Sequence, residues 1–348
     1  MKTLSYNETI KKKSKGDISM KKIINDPKNV VTEMLDGMAF AHDDLVHRVD
    51  GFEIIARNAE KTGKVAIISG GGSGHEPSHA GFVGEGMLSA AVCGPVFTSP
   101  TPDQVLEAIK EADEGAGVFM VIKNYSGDIM NFEMAQEMAE MEDIKVASVV
   151  VDDDIAVEDS LYTQGRRGVA GTVLVHKILG DAARNGKSLE EIKEIAEQLV
   201  PNIHTVGLAL SGATVPEVGK PGFELADDEI EYGIGIHGEP GYKREKMKSS
   251  HELAEELVTK LVDSFQPKEG EEYGVLVNGM GATPLMELYV FANDVEKILA
   301  EKNVSVVYKK LGNYMTSIDM AGLSLTLIRL KDKEWKNALN APVTTIAW

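Results

Sequence analysis

Three short segments of this 348-residue chain combine glycine with side chains that can move protons or contact a small ligand. They span residues 69–79, 122–128 and 233–241. Glycine lets the backbone approach a ligand closely and leaves N–H groups free to bind it. The first two segments include or follow apolar runs that predict buried strands, and α/β proteins bind ligands where such strands end. Together the segments predict a ligand-binding site.

Residues 69–79 lack the chemistry of the known nucleotide loops. A Walker loop ends in Gly-Lys-Ser/Thr, and this segment contains no lysine. A dinucleotide fingerprint requires a third glycine, but after Gly70 and Gly72 that position is His75. The alternative to a ligand loop is a flexible surface turn, because turns favour glycine. The position directly after a predicted strand favours the ligand loop.

Residues 75–79 also fit the pattern His-Glu-x-x-His of zinc hydrolases. This pattern binds zinc only when both histidines lie on one face of a helix. Pro77 lies between them, and proline is tolerated at the first position of a helix but not in its interior. A helix that begins at Pro77 leaves His75 outside, so a zinc hydrolase is only an outside alternative. His75 is then predicted to transfer protons from a glycine loop, and His79 to pack inside the helix.

Asp128 and His237 are the other candidate catalytic residues. Lys123 and Asp128 bracket a turn at the end of an apolar run. Asp128 either caps the helix that follows or deprotonates a hydroxyl group of a ligand. His237 has glycine close by on both sides, which predicts an exposed imidazole as readily as a packed one.

Two charged segments are less informative. Residues 152–154 are three aspartates that resemble a metal site, but consecutive side chains on a strand cannot all point one way. We therefore expect turn and cap roles for them. Residues 163–168 include Arg166 and Arg167, and the sequence allows either a phosphate site or an ion pair between subunits.

Composition excludes several classes of protein. Hydrophobic residues make up 43% of the chain, which is enough for substantial cores. The net charge of -19 disfavours nucleic-acid binding, and no apolar run is long enough to span a membrane. Cys93 is the single cysteine, so an internal disulfide is impossible and a cytoplasmic location is expected.

Apolar runs alternate with amphipathic stretches along the chain. The alternation predicts an α/β fold of two layered α/β domains with largely parallel or mixed sheets and the active site near the domain interface. Residues 20–200 are predicted to form the first domain and residues 201–348 the second. Residues 1–19 are polar and rich in lysine, and we expect a flexible N-terminal extension. The predicted strands are residues 65–68, 118–122, 146–151, 206–210, 275–277 and 304–307, and the predicted helices are 102–111, 189–198 and 251–265.

Several motifs, in one order, resemble a known family. They are Gly-Gly-Gly-Ser-Gly-His-Glu-Pro at 70–77, Phe-Thr-Ser-Pro-Thr-Pro-Asp at 97–103, Lys-Asn-Tyr-Ser-Gly-Asp at 123–128, Asp-Ser-Leu-Tyr at 159–162 with Gly-Arg-Arg-Gly at 165–168, and Gly-Ile-His-Gly-Glu-Pro-Gly at 235–241. Residues 278–288 and 316–320 also look like that family. From about residue 20 to its end, the chain resembles the K subunits of phosphotransferase-system dihydroxyacetone kinases.

The resemblance implies a role for each candidate residue. His237 matches the histidine that adds to the ketone of dihydroxyacetone and forms a covalent hemiaminal. His75 matches the histidine that assists proton transfer in that addition. Asp128 matches the carboxylate that acts as base on the substrate hydroxyl. Substrate contacts are implied for Gly72, Ser73, Gly74, His75, Lys123 and Asp128.

The resemblance also implies partners. A nucleotide-carrying L-type subunit is expected to hold ADP and magnesium and to be recharged by the sugar phosphotransferase system, whereas this chain is expected to hold no cofactor. Homodimers are typical of the family. Some relatives that bind dihydroxyacetone are instead transcriptional co-activators, and they differ near residues 123–128, where this chain keeps the kinase-like form. We therefore expect a phosphotransferase subunit.

Overall fold

The computed structural model describes residues 21–158 and 163–348. The predicted extension at residues 1–19 and the Asp-Ser-Leu-Tyr motif at 159–162 lie outside the described residues. In the described part, two six-stranded sheets and eight α-helices form the α/β architecture that the alternation predicts. None of the described helices is long and apolar enough to cross a membrane.

The first half of the chain forms one sheet and three of the helices. The strands are β1 Val46–Arg48, β2 Ile54–Arg57, β3 Ala66–Ser73, β4 Gly84–Glu85, β5 Ala90–Val96, β6 Val118–Lys123 and β7 Val146–Val151. The helices are α1 Val30–Ala41, α2 Pro102–Ala112 and α3 Ser126–Met141. The sheet has the order β1-β2-β5-β3-β6-β7, in which the strands from β5 to β7 are parallel and β1 and β2 are antiparallel additions.

The second half forms the other sheet after two connecting helices. The connecting helices are α4 Thr172–Arg184 and α5 Leu189–Leu199. The strands are β8 Ile203–Ala209, β9 Glu229–Tyr232, β10 Lys243–Lys246, β11 Glu272–Gly279, β12 Ser305–Gly312, β13 Gly322–Arg329 and β14 Thr344–Thr345, and the helices are α6 Ser250–Phe265, α7 Leu285–Glu301 and α8 Lys333–Asn340. The order is β10-β9-β8-β13-β11-β12, with a parallel pair only at β11 and β12, so this sheet is mixed. Strand β14 pairs with β4, which returns the C-terminal tail to the first half.

Strand β6 illustrates why the apolar runs become buried strands. Its side chains alternate between the two faces of the sheet. Met120 and Ile122 belong to the core formed with α2 and α3, whereas Phe119 and Val121 belong to the core that contains α4. Because both faces are covered, the strand is apolar throughout. Each of the six predicted strands and three predicted helices corresponds to a strand or helix of the structure, so these predictions are confirmed.

Helix α4 lies in a core that both halves share. Leu174 and Ile178 of this helix cluster with Leu276 and Ile328 of the second sheet. The cluster also contains Phe119 of the first sheet. Since apolar contacts continue across the middle of the chain, the division into two domains near residue 200 stays a prediction.

The helix that the sequence predicts from Pro77 is not present, and that prediction is wrong. Only a short 3-10 helix, Ala80–Phe82, follows the glycine-rich segment. The backbone before it is tied to a distant part of the chain. The Thr316 N–H donates to the His75 carbonyl oxygen over 3.2 Å, and the Thr316 hydroxyl donates to the Glu76 carbonyl oxygen over 2.8 Å. These bonds satisfy backbone groups that a helix would otherwise pair locally.

Candidate active site

Parallel pairing brings the predicted segments to one edge of the first sheet. Strand β3 ends at Ser73, and its neighbour β6 ends at Lys123. Asp128 lies in the first turn of α3, which begins soon after β6. From the second sheet, the loop between β9 and β10 brings His237 to the same edge, where its Nε2 lies 3.1 Å from Nε2 of His75. The site therefore forms where the two halves of the chain meet.

Asp128 and His237 open onto one cleft of about 660 Å³. His75 itself is fully buried. The residues that line the cleft are Gly72, Phe97, Thr98, Ser99, Tyr125, Ser126, Gly127, Asp128, Asn131 and His237. A ligand in this cleft can thus reach both the His237 imidazole and the Asp128 carboxylate.

His75 is held rigidly and kept neutral. Its Nδ1 donates to the Thr316 carbonyl oxygen over 2.8 Å, and its ring stacks on Phe97 with centroids 5.2 Å apart. Burial, followed by the positive charges of His237 and Lys123, holds the pKa of His75 well below its usual range, although the Thr316 carbonyl opposes this shift. A neutral His75 that donates through Nδ1 presents the lone pair of Nε2 to His237.

His237 is oriented by Glu239, two residues further along the same loop. The His237 Nδ1 donates to one carboxylate oxygen over 3.1 Å, and the backbone N–H of His237 donates to the other over 2.9 Å. Burial alone would raise the pKa of Glu239, but the hydrogen bond and charge of His237, together with Arg167, lower it to about 2. Tyr125 meets the imidazole edge-on, with ring centroids 4.6 Å apart. The His237 side chain is 15% exposed, and it lines the cleft.

These contacts fix how the histidine pair shares its protons. Carbonyl and carboxylate oxygens only accept, so the Nδ1 atoms of both rings carry protons. The contact between the two Nε2 atoms needs one further proton. The lowered pKa of His75 makes its Nε2 the acceptor in this contact. A proton on the His237 Nε2 could therefore pass directly to the Nε2 of His75.

Asp128 is held by side chains rather than by the helix backbone. Its Oδ2 accepts from the Lys123 Nζ over 3.1 Å, and its Oδ1 accepts from the Ser99 hydroxyl. Lys123 also donates to the Gly70 carbonyl oxygen over 3.0 Å. Tyr125, not Asp128, is the residue at the N-cap of α3. The helix-capping interpretation of Asp128 is therefore wrong, and the carboxylate is available to the cleft.

Two glycines allow the segments of the site to pack closely. Gly71 has φ +143°, and a Cβ there would lie 2.3 Å from the Lys123 Nζ. Gly74 has φ +106°, and a Cβ there would lie 2.7 Å from the Phe97 ring. A larger residue at either position would displace a side chain that contacts Asp128 or His75.

The other predicted substrate contacts differ in their access to the cleft. Gly72 lines it. The Ser73 hydroxyl donates to the Gly94 carbonyl oxygen over 2.7 Å and is buried, and the Lys123 ammonium is 1% exposed behind Asp128. Substrate contacts by Gly72, Ser73, Gly74 and Lys123 stay predictions.

The charged segments near the middle of the chain serve the architecture of the site. The Asp154 carboxylate accepts from the Ala156 N–H two residues further on, which is the expected turn role, whereas the Asp153 carboxylate accepts from the N–H groups of Val169 and Gly171 before α4 and caps no helix. Arg167 is completely buried, pairs with Asp154 at 2.6 Å, and donates to the carbonyl oxygen of Gly233 at the base of the His237 loop. The sequence allowed either a phosphate site or an ion pair between subunits for residues 163–168. The structure shows instead that Arg167 forms its ion pair with Asp154 of the same chain.

The two histidines of the His-Glu-x-x-His pattern do not share a site. His79 Nδ1 lies 2.9 Å from Nε2 of His176 on α4, whereas His75 faces His237. The described residues contain no group of three histidine, cysteine or acidic side chains placed to hold a metal ion. The pattern therefore does not correspond to a zinc centre among these residues.

Sequence reasoning misses several residues that complete the site. Glu239 could have been found, because a carboxylate two residues from a glycine-flanked histidine is a signal for an orienting partner. Ser99 lies in a recognised motif but has no chemical pattern that points to Asp128. Thr316 acts on the His75 ring through its backbone carbonyl, which no side-chain pattern reveals.

A family model, curated relatives and solved structures all show similarity between this chain and dihydroxyacetone kinase proteins. The Dak1 domain matches residues 36–347. The dihydroxyacetone-binding subunit DhaK of the PTS-dependent dihydroxyacetone kinase of Lactococcus lactis is 69% identical, over 95% of this chain and 100% of that protein. The DhaKLM operon coactivator DhaQ of the same organism is 45% identical, over 94% of this chain and 100% of that protein. The crystal structure of the C. freundii dihydroxyacetone kinase in its native form has a TM-score of 0.87 at 34% identity, covering 94% of this chain and 60% of that one.

Family membership follows from both the extent and the level of this similarity. The domain match covers most of the chain, and the L. lactis kinase subunit is matched over its whole length. The expected resemblance is thereby confirmed, and four of the motifs that carry it, at 70–77, 97–103, 123–128 and 235–241, contribute residues to the lining of the cleft. The chain belongs to the Dak1 family of dihydroxyacetone kinase proteins.

Proposed function

We propose that this chain is the dihydroxyacetone-binding subunit of a PTS-dependent dihydroxyacetone kinase. It holds the ketone as a covalent hemiaminal on His237 and presents it to a partner subunit that supplies the phosphoryl group. The observation that carries the proposal is the contact of 3.1 Å between the Nε2 atoms of His237 and the neutral His75 at the cleft. This arrangement supplies a nucleophile and its proton acceptor in direct contact.

The addition can be written with every proton accounted for. The Nε2 proton of His237 passes to the Nε2 of His75. The freed Nε2 lone pair of His237 attacks the carbonyl carbon, a C–N bond forms, and the π electrons of the carbonyl move to its oxygen. His75 then gives the proton to that oxygen, which becomes a hydroxyl group. Because the pKa of His75 is held low, the protonated His75 is a strong acid for this last transfer.

Glu239 supports this step from the other side of the ring. After addition, the His237 imidazole carries a positive charge and still has its Nδ1 proton. The Glu239 carboxylate, 3.1 Å from Nδ1, stabilises that charge or accepts the proton. Glu239 is therefore a positioning residue that acts through His237.

Covalent capture suits this substrate. Dihydroxyacetone is small and polar, so burial of apolar surface offers little affinity. A reversible C–N bond fixes its orientation and selects for a carbonyl group. Glycerol, which has none, cannot form the bond.

Asp128 is proposed to act on the hydroxyl that receives the phosphoryl group. Its carboxylate accepts the hydroxyl proton while the oxygen attacks phosphorus. Lys123 and Ser99 orient the carboxylate for this role. Phosphoryl transfer then depends on alignment of donor and acceptor across the cleft.

The phosphoryl donor is assigned to a nucleotide-carrying L-type subunit with ADP and magnesium, recharged by the sugar phosphotransferase system. Residues 69–79, the glycine-rich segment at the site, lack the lysine of a phosphate loop. A homodimeric state and a cytoplasmic location belong to the same proposal. A co-activator role is the second candidate, because the L. lactis coactivator DhaQ is 45% identical. The intact Lys123–Asp128–Ser99 arrangement supports the kinase subunit, and turnover with the L-type partner separates the two roles.

The test is intact mass of the purified chain with dihydroxyacetone or glycerol. We expect an adduct with dihydroxyacetone and none with glycerol. His237→Ala should fold normally and lose the adduct, while weak non-covalent binding can remain. His204→Ala is a matched control, because His204 lies at the start of β8 against Ser264. An adduct at full occupancy in His237→Ala would refute the assignment.

A further inference from the structure

An exposed row of methionines runs along α3 away from the cleft. Met130, Met134 and Met141 are 63%, 48% and 81% exposed. Spacings of four and seven residues place them on one face of the helix. Gly127, which lines the cleft, precedes Met130 by one turn. This methionine row therefore begins one turn from the rim and extends for about 17 Å along the helix, at about 1.5 Å per residue.

The methionine row is not needed for the packing of α3. The opposite face of the helix already contributes Phe132, Ala135 and Ala139 to the core, with Met138 packed against it. Isolated exposed apolar residues are ordinary, but several on one helical face mark a contact surface. Methionine is flexible and polarisable, which suits a surface that must bind and release a partner repeatedly.

The same face of α3 is strongly acidic. Glu133, Glu137 and Glu140 are exposed among the methionines. The last turn contains no basic residue, so the negative end of the helix dipole adds to these charges. A second copy of this chain docked through the same face would place these glutamates against their own copies, where like charges repel. The charge pattern instead favours a partner with a basic surface.

We propose that the methionine row and its glutamates form the docking surface for the nucleotide-carrying partner subunit. The inference rests on the proposed function. A phosphoryl group can reach the substrate hydroxyl beside Asp128 only if the protein that carries it contacts the rim of the cleft. Helix α3 supplies part of that rim through Gly127 and Asn131 and continues directly into the methionine row. The partner is expected to present lysine or arginine around an apolar centre.

The test uses the full chain with Met130 and Met134 both changed to glutamate. The probe is the purified L-type subunit that accompanies the L. lactis relative. Calorimetry measures its affinity, and turnover is followed as its concentration is raised. We expect Kd, and the partner concentration at half-maximal rate, to rise at least about tenfold. The rate at saturating partner and the dihydroxyacetone adduct of the isolated chain should stay within about twofold of the unchanged protein.

Two further variants sharpen the test. Met247→Glu is the matched control, because Met247 is 51% exposed but lies just before α6 in the second half, and it should leave the partner Kd unchanged. Changing Glu133 and Glu137 together to lysine should also raise Kd, most strongly at low salt.

The outcomes distinguish the docking surface from the proposed function. An unchanged Kd in the double methionine variant would overturn the docking surface. So would conversion of a dimer to a monomer by that variant, because the face would then belong to a second copy. A chain that binds the partner through α3 but forms no adduct would leave the docking surface standing and remove the proposed chemistry.

Discussion

The two carboxylates of the site have different neighbours, which is why we propose different chemical roles for them. Glu239 faces an imidazole and the buried Arg167, so it stays ionised and orients His237. Asp128 is held by one ammonium and one hydroxyl group at the cleft, where a substrate hydroxyl can approach it. Substitution of each carboxylate by its amide is therefore expected to have a different effect.

Asp128→Asn is nearly isosteric and removes the base. We expect the hemiaminal on His237 to form at normal occupancy, while phosphoryl transfer slows by at least about a hundredfold. Intact mass and turnover with excess partner measure the two quantities. Asp103→Asn, which changes an acidic residue in the first turn of α2, is the control and should have little effect. Turnover of Asp128→Asn near the normal rate would make the carboxylate structural and move the base to the partner.

Glu239→Gln tests the lowered pKa of this carboxyl through stability. Lowering the pKa from 4.5 to about 2 contributes about 3 kcal/mol to the free energy of unfolding at neutral pH. Because the folded pKa is the lower one, this contribution is present above pH 4.5 and is lost as the pH falls towards 2.

The measurement is urea unfolding of both proteins at pH 7 and pH 3. The difference between the unchanged protein and Glu239→Gln should shrink from about 3 to about 1 kcal/mol over that range. Glu334→Gln, at the first turn of α8, serves as a control with no expected pH-dependent difference of this size. A difference of the same size at both pH values would show that Glu239 is not preferentially ionised in the folded state.

At the scale of secondary-structure elements, the sequence predicts what depends on burial and misses what depends on distant hydrogen bonds. Strands such as β6 are covered on both faces, so their apolar runs are unambiguous. The helix expected at Pro77 fails because Thr316, separated by 240 residues from Glu76, binds the backbone there. The same distance hides the carbonyl that fixes His75. His75, Asp128 and His237 themselves are predictable, because glycine-rich segments at strand ends mark them.

Gly71, near the end of strand β3, gives a prediction about packing between elements. A Cβ at Gly71 would meet the Lys123 Nζ at 2.3 Å, and Lys123 can move only by leaving Asp128. We expect Gly71→Ala to slow phosphoryl transfer by about tenfold or more. It should also cost about 1–2 kcal/mol of stability, since φ is +143° there. Turnover and urea unfolding measure the two effects.

Gly51→Ala separates the effect of a positive φ from the effect of contact with Lys123. Gly51 also has a positive φ, at +81°, but a Cβ there would meet nothing within 4 Å. This control should lose similar stability and keep its turnover. If Gly71→Ala also kept its turnover, contact between Lys123 and Asp128 would not matter for the reaction.

At the scale of the whole molecule, the site exists only because two halves of the chain meet. The first half supplies His75 and Asp128, and the second supplies His237 with Glu239. Helix α4 and its core connect the halves, and the buried pair of Arg167 with Asp154 ties the His237 loop to the first half. Neither half alone contains both histidines of the proposed nucleophile and proton acceptor.

The whole chain should also be unable to phosphorylate dihydroxyacetone with ATP on its own. The glycine-rich segment at the site lacks the lysine that holds phosphates in a Walker loop, and the net charge of -19 gives ATP no general electrostatic attraction. Under the proposed function, the substrate hydroxyl beside Asp128 is phosphorylated only when a separate protein brings the donor. We expect no ATP binding by calorimetry and no ATP-driven product from the isolated chain, although the adduct on His237 forms. Product should appear when the L-type subunit and the phosphotransferase proteins that recharge it are added, and steady ATP-driven turnover by this chain alone would contradict the division of labour between the two subunits.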